Sequence, residues 1–482
     1  MLDLRPILLV IGILLTTLGV AMLVPAIVDL HLDHPEWLVF AASSGLTLFV
    51  GVTLTMISWG RTSNLNVKQA FVLTTFSWVA LAAFAAIPIA WSELNLSYTD
   101  AFFEAMSGLT TTGATIITTL DTAPPGILLW RAQLQWLGGI GIIVMAVAVL
   151  PMLQIGGMQL FRMESSDTSE KILPRATQIA GSITLLYLAI SAANTLAYMM
   201  AGMGLFDAVA HAMTTIATGG FSTYNASIGQ FNSAAVDSVS ILFMIIGSLP
   251  FVLYLHALRG NAEPLWKDSQ VRWFFTLIII FVLIATLYQI VVNANTGTRA
   301  FQLAAFNVVS VMTGTGYATA DYGLWGPFAV VFFFCIMFIG GCAGSTSCGL
   351  KIFRIQVIFE NVKVHINRII YPHGVFVARY NDRSLPDHVS ASVLSFLYLF
   401  LLCFGLLSIA LNLTGLDIIT SVSAAASAMA NVGPGLGKMV GPTGTFEELS
   451  NIAKWLLSFG MLLGRLELFT VLVMLTPAFW RS

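Results

Sequence analysis

Ten apolar runs of about 20 residues or more occupy most of this chain, and each is long enough to cross a hydrocarbon core roughly 30 Å thick as a helix. They lie at about Pro6–Val28, Trp37–Ser58, Gln69–Trp91, Gly126–Leu150, Gln178–Met200, Val236–His256, Trp273–Val292, Phe328–Gly349, Val389–Leu411 and Ile452–Thr476. Of the 482 residues 57% are hydrophobic and only 9% charged, against about 25% charged in an ordinary soluble domain. The chain is therefore expected to be an all-α integral membrane protein. The first run follows Arg5 but exceeds the core of a signal peptide, about 7–15 residues, and reads as a retained span. Cys335, Cys342, Cys348 and Cys403 lie in or beside apolar runs with no CxxC pair; small-residue packing suits them better than disulfides.

With ten spans both termini lie on one side, and the charges choose which. Arg5, Arg61, Lys68, Arg162, Lys171, Arg175, Arg259, Lys267, Arg272, Lys351, Arg354, Lys363, Arg368, Arg379, Arg383 and Arg481 fall on the N-terminal side. Only Arg131, Arg299, Lys438 and Lys454 fall opposite, and Arg465 lies within a span. Both termini are expected in the cytoplasm. The outer loops carry acids such as Asp100, Glu104, Asp121, Asp207, Asp321, Glu447 and Glu448, and an acidic mouth concentrates cations.

Four outer loops repeat one pattern. DAFFEAMSGLTTTGAT from Asp100 aligns without a gap on DAVAHAMTTIATGGFS from Asp207; AAFNVVSVMTGTGYAT from Ala304 and SVSAAASAMANVGPGLG from Ser421 keep Ser310 and Ser427 under Ser107. Gly316 and Gly433 fall under Gly113 and Gly220. Each loop is an apolar stretch of about ten residues, too short to span, followed by a glycine turn. A second echo follows in the next span: WLGGIG from Trp136, IIGSLP from Ile245, FIGGCAGSTSCG from Phe338 and SFGMLLGR from Ser458. The expected organisation is two N-terminal spans (1–67) and four tandem helix, re-entrant loop, helix units at 68–160, 174–256, 272–359 and 387–480 around one pore.

Backbone that leaves the helix at membrane depth survives only where protein or a water-filled cavity satisfies it. Four short helices aimed at one axis would direct their carbonyl ends, each worth about half a negative charge, toward a shared cavity. Turns after them can replace an ion's hydration shell with carbonyl oxygens, and glycine supplies the positive φ that such turns need. Gly113, Gly220, Gly316 and Gly433 are the leading candidates. Thr111, Thr112 and Ala114; Thr218, Gly219 and Phe221; Gly314, Thr315 and Tyr317; and Asn431, Val432 and Pro434 would complete the wall. For a single glycine, close helix packing is the commoner explanation; four aligned glycines argue otherwise.

The motifs TTTGAT at Thr110, ATGGFST at Ala217, TGTGY at Thr313 and NVGPGLG at Asn431 resemble the Trk/Ktr/HKT superfamily of potassium transporters, especially its bacterial TrkH/TrkG branch. The resemblance covers essentially the whole chain, and the two extra N-terminal spans favour that branch over the similar Ktr subunits. It implies potassium as the transported ion, a bacterial inner-membrane location and a homodimer with one pore per protomer. It also implies a cytosolic ring of nucleotide-binding RCK-type regulatory subunits on basic inner loops such as 351–383. A serine at the first filter position goes with sodium permeation in this superfamily, so Gly113 points to potassium.

GGCAGSTSCGLK (Gly340–Lys351) breaks the eighth run with small and polar residues. The resemblance makes it an intramembrane gating loop, with Gly340, Gly341, Gly344, Ser345, Gly349 and Lys351 as its key residues; a kinked, close-packed helix is the bland alternative. Arg465 sits in the last run, where a charge costs at least about 2.5–3.5 kcal/mol. Glu467 cannot neutralise it along a helix, since residues two apart do not face each other. The resemblance makes Arg465 an electrostatic barrier, and a buried ion pair is the alternative. Asp100, Glu104 and Asp207 suit helix N-termini better than ion binding, and His211 suits packing.

A transporter with broken helices would place two of them at the midplane of inverted halves, and an enzyme would need converging catalytic groups within the spans. Neither accounts for four tandem units of one orientation. No GxGxxG follows a strand, so no nucleotide domain is expected in this chain, nor any nucleic-acid partner. Proton- or sodium-coupled potassium symport remains the alternative to channel-like flow.

Overall fold

The computed structural model describes residues 3–60, 66–148, 176–295, 297–381 and 383–481. Arg61, Arg162, Lys171 and Arg175, the run end at Leu150 and the unit boundaries at 160 and 174 lie outside them. Helices α1 (Arg5–Ala21) and α2 (Leu23–His31) form one span that folds back on α3 (Trp37–Ser58). The two approach closely because Gly12 and Gly51 face each other: a Cβ on Gly12 would meet Thr55, one on Gly51 would meet Thr16, and small residues permit such contact between helices in hydrocarbon. Asp29 ties this hairpin to the body by accepting the Gly126 N–H at 2.6 Å.

The body repeats one sequence of elements. It begins with α4 (Val67–Ala90), whose start is closed by a reciprocal Asn66–Gln69 capping box, the short α5 (Tyr98–Leu109) and α6 (Pro125–Ala148). Next come α7 (Ala176–Met200), the short α8 (Leu205–Ile216), α9 (Ala234–Ser248) and α10 (Phe251–Leu258). Then follow α11 (Ser269–Val291), α12 (Gly297–Met312), α13 (Pro327–Met337) and α14 (Ile352–Ile370). The last group is α15 (Asp387–Asn412), the short α16 (Ile418–Ala430), α17 (Asn451–Arg465) and α18 (Phe469–Leu472). A two-residue hairpin, Arg379–Tyr380 with Arg383–Ser384, is the sole sheet among the described residues. Large apolar side chains such as Phe49, Leu185, Leu283 and Leu402 stand exposed along the long helices. Such a surface is untenable in water and matched to lipid, so the chain is an all-α, multi-pass membrane protein.

Two apolar runs expected to be continuous are bent, and the eighth is interrupted where its small and polar residues lie. The sixth bends by 94° between α9 and α10, because Pro250 has no N–H to donate and disfavours helical backbone at Leu249. The tenth bends by 110° between α17 and α18, where Glu467 takes a left-handed φ of 60°. In the eighth, α13 stops at Met337 and the chain runs through a loop to α14.

Candidate ion path

Each short helix ends in the same way. A residue at the helix end turns left-handed, Thr111 (φ 53°), Thr218 (49°) and Gly314 (73°) in the first three units and the C-cap Asn431 (51°) in the fourth. The next N–H reaches back to the third-last turn residue: Thr112 to Ser107 O, Gly219 to Thr214 O and Thr315 to Ser310 O at 2.9 Å, Val432 to Ser427 O at 3.0 Å. This is the Schellman closure, which normally takes Gly or Asn at the left-handed position. A β-branched threonine there is strained by about 1–3 kcal/mol, a cost that clusters at functional sites.

One residue further, Gly113 (φ 85°), Gly220 (76°), Gly316 (81°) and Gly433 (104°) are again left-handed. Alternating backbone hand turns successive carbonyls toward one side, whereas a strand would alternate them. A Cβ on each glycine would collide with the next unit's carbonyl: Gly113 with Gly219 O, Gly220 with Thr315 O, Gly316 with Val432 O, and Gly433 with Thr112 O. The fourth contact returns to the first unit, so four turns close a ring whose tightness only glycine permits.

Loops outside the ring close in the same order. Asn225 Nδ2 donates to Asp121 at 2.8 Å, Gly229 N to Ala318 O at 3.1 Å, Thr443 Oγ1 to Asp321 at 3.3 Å, and Phe446 N to Thr115 O at 2.9 Å. Behind the first two turns, Arg131 Nε donates to Glu104 at 2.7 Å and Nη1 to Ser222 O at 2.9 Å. Glu104 also accepts from Ile116 N and Thr115 Oγ1. Lys454 meets Asp100 at 2.6 Å. Asp100 and Glu104 are thus ion-paired struts. Asp207 accepts from Thr223 and Tyr224, and His211 bridges Asp207 O and Ser222 Oγ. Ala114, Phe221 and Pro434 join the four glycines around an outer cavity of about 560 Å³, together with Lys438, Glu447 and Glu448. Tyr317 instead turns its hydroxyl into α8, against Thr214 and Thr215. Gln135, which the sequence reasoning passed over, donates to Gly219 O at 2.6 Å and accepts from Phe221 N at 3.0 Å. A buried amide within an apolar span was its available signal.

The second echo also has a place. A Cβ on Gly138 would strike Leu109 O, one on Gly247 would lie 3.0 Å from Ile216 O, and one on Gly464 would strike Met429 O. In these three units a glycine of the following span packs under the short helix's end. In the third unit the loop takes that role. Its base is pinched where Leu350 N meets Phe338 O and Gly340 N meets Leu350 O, both at 2.9 Å. Gly340 packs against Cys348 O and Gly341 against Ser347 and Ser248; Gly344 and Gly349 are left-handed (φ 78° and 71°). Ser345 Oγ donates to Cys342 O at 2.6 Å, and Lys351 reaches Ser347 O. The carbonyls freed by the break after α9 are taken up by this loop: Ser248 O by Cys342 N at 3.0 Å, Gly247 O by Thr346 N at 3.2 Å.

Arg465 ends α17 beneath the ring, only 2% exposed. Nη1 donates to Thr346 O at 3.1 Å and approaches Cys348 Sγ, Nη2 donates to Gly138 O at 3.0 Å, and Nε has no partner. Glu467 pairs instead with Arg354, which the sequence reasoning left among the loop cations. Lys351, Arg354, Arg465 and the single carboxylate of Glu467 surround a cavity of only about 30 Å³, room for a water or two.

A ring of converging backbone turns at membrane depth, wide outside and cationic and narrow inside, defines an integral membrane cation-transport protein. Residues 40–482 match the TrkH family, described as cation transport protein. The chain is 44% identical to the Trk system potassium uptake protein TrkI of Halomonas elongata, over 99% of this chain and 97% of that one. It is 36% identical to the TrkH of Escherichia coli K12, over 98% of each. The crystal structure of the potassium transporter TrkH from Vibrio parahaemolyticus superposes with a TM-score of 0.93 at 35% identity, covering 100% of both chains. The chain belongs to the TrkH family of cation transport proteins, and it is not an enzyme.

Proposed function

We propose that this chain is the membrane subunit of a bacterial potassium uptake system, passing potassium in single file through the ring at Thr111–Gly113, Thr218–Gly220, Gly314–Gly316 and Asn431–Gly433. The observation that carries this is the closed cycle in which each unit's glycine lies against the carbonyl of the next. Carbonyl oxygens lining such a ring can replace a hydration shell, and four helix ends add negative potential. The relatives are potassium uptake proteins, which supports potassium as the ion. The units at 68–160, 174–256, 272–359 and 387–480 contribute one quarter of the ring each. Gly340–Lys351 and Arg465 obstruct the path below it, so selectivity belongs to all four units and gating to the last two.

Both termini and the basic inner loops face the cytoplasm, where a nucleotide-binding ring subunit docks. Helix α14 leaves Phe359, Val362, Ile366, Ile369 and Ile370 exposed on its surface. A stripe of that size suits a second copy of the chain, and a homodimer is the assembly proposed. The test is flux in vesicles holding the purified protein. Reversal at the potassium Nernst potential, insensitive to sodium and pH, supports channel-like flow; a reversal that moves with either ion's gradient means coupled symport. Gly113→Ser is expected to admit sodium. Flux and gating unchanged after shortening 343–347 would overturn the loop's role.

A further inference from the structure

We propose that Thr346, on the intramembrane loop, is a positioning residue that holds the second unit's selectivity turn, so that loop movement alters ion preference as well as access. This rests on the pore and gate just proposed and deepens them. Thr346 is fully buried, and its three polar groups reach three other places in the path. Its Oγ1 shares one proton between Gly247 O at 2.8 Å and Ile216 O at 3.0 Å, and lies 3.2 Å from Thr218 Oγ1, whose own proton is shared between Thr346 Oγ1 and Ala217 O at 2.8 Å. Its N–H donates to Gly247 O, and its carbonyl accepts from Arg465 Nη1. Ile216 is the last residue of α8 and Thr218 the left-handed residue that starts the turn.

The other left-handed positions are held differently. Thr111 Oγ1 is buried with no partner. Asn431 Nδ2 donates to Thr112 Oγ1 at 2.8 Å and to Met461 O at 3.0 Å, bonds made without the loop. Gly314 has no side chain to hold, although its open face looks onto Ser347 and Cys348. Of the three side chains at these positions, only that of Thr218 makes a hydrogen bond to the loop. A β-branched residue at φ 49° is strained and persists only while its surroundings fix it. Withdrawing the loop removes the Thr346 hydroxyl from that turn and leaves the first and fourth turns as they are. The ring then loses one quarter of its definition.

The experiment measures potassium and sodium flux in vesicles holding the full chain, normalised to monodisperse protein recovered. Thr346→Val removes the hydroxyl at nearly constant volume and is expected to lower the potassium-to-sodium ratio about three- to tenfold, the equivalent of one hydrogen bond. Thr346→Ser keeps the hydroxyl and should retain the ratio. Thr218→Val should lower it similarly, and the double variant no further, since one shared interaction is lost once. A Thr346→Val protein with altered flux but wild-type ratio overturns the proposal, as does additive loss in the double variant. If Thr346→Val yields no folded protein, Thr218→Val alone decides: a wild-type ratio there overturns it. Wild-type vesicles without potassium preference would instead overturn the parent reading, and this proposal with it.

Discussion

The outer and inner halves of the proposed ion path treat the fourfold repeat differently. At the ring, four turns share the same closure, the same left-handed positions and the same glycine-to-carbonyl contact. Below it the units diverge into a 94° break, a loop, a 110° break and a continuous helix as far as Ala148. A selective ring needs equivalent oxygens from every side. A gate needs only one element able to move and one charge able to repel, and a single unit can supply each. Symmetry is kept where geometry is shared and dropped where it is not.

The comparison breaks most severely if a ring glycine gains a side chain. In Gly220→Ala the new methyl would occupy the space of Thr315 O at a φ of 76°. Potassium flux should fall at least about a hundredfold, the effect of two lost units of tenfold, in protein that still folds. Gly405→Ala is the control: no heavy atom lies within 4 Å of its Cβ position inside α15, and a helical Gly→Ala change gains about 0.5–1 kcal/mol. Flux near wild type for Gly220→Ala would remove the ring from the mechanism.

The same division governs what the sequence disclosed. Positive φ leaves a local trace, so the four glycines and their Thr-rich neighbours stood out, and the two N-terminal spans were legible from hydropathy alone. The break at Gly340–Lys351 was legible too, but the bends in the sixth and tenth runs were not. Leu249-Pro250 marks a bend, but the bend's stability comes from loop N–H groups nearly a hundred residues later, at Cys342 and Thr346. Glu467 sat two residues from Arg465 and was correctly denied to it along a helix; that it pairs with Arg354 across units is a tertiary fact. Thr346 lay within a quoted motif as one small polar residue among several.

Arg465 tests the inner half. A cation passing within about 6 Å of its guanidinium, at an effective dielectric near 20, meets roughly 3 kcal/mol of repulsion. Arg465→Ala should therefore raise flux about ten- to hundredfold. Flux at wild-type level per folded molecule, with a lowered unfolding midpoint, would make Arg465 a structural residue tying Thr346 O to Gly138 O.

The smallest effect concerns how the loop is anchored from the inner face. Asp268 caps α11 by accepting Gln270 N at 2.9 Å and Val271 N at 3.2 Å, and Gln270 Oε1 in turn accepts Ala343 N of the loop at 3.0 Å. Burial pushes the Asp268 carboxyl above its ordinary value of 3.8, outweighing the N–H groups of Val271 and Gln270, Asn381 and the charge of Arg272, which pull it down. A carboxyl raised on folding keeps its proton longer in the folded protein. Its stabilising contribution is full below the unfolded value and is lost as pH rises through the folded one. Asp268→Asn keeps an N-cap acceptor but does not titrate. The unfolding midpoint of wild type relative to Asp268→Asn should thus decline as pH rises from below 3.8 toward neutrality. A relative rise over that window would mean that hydrogen bonding to the ionised cap outweighs its burial, and that the loop's anchor tightens with ionisation.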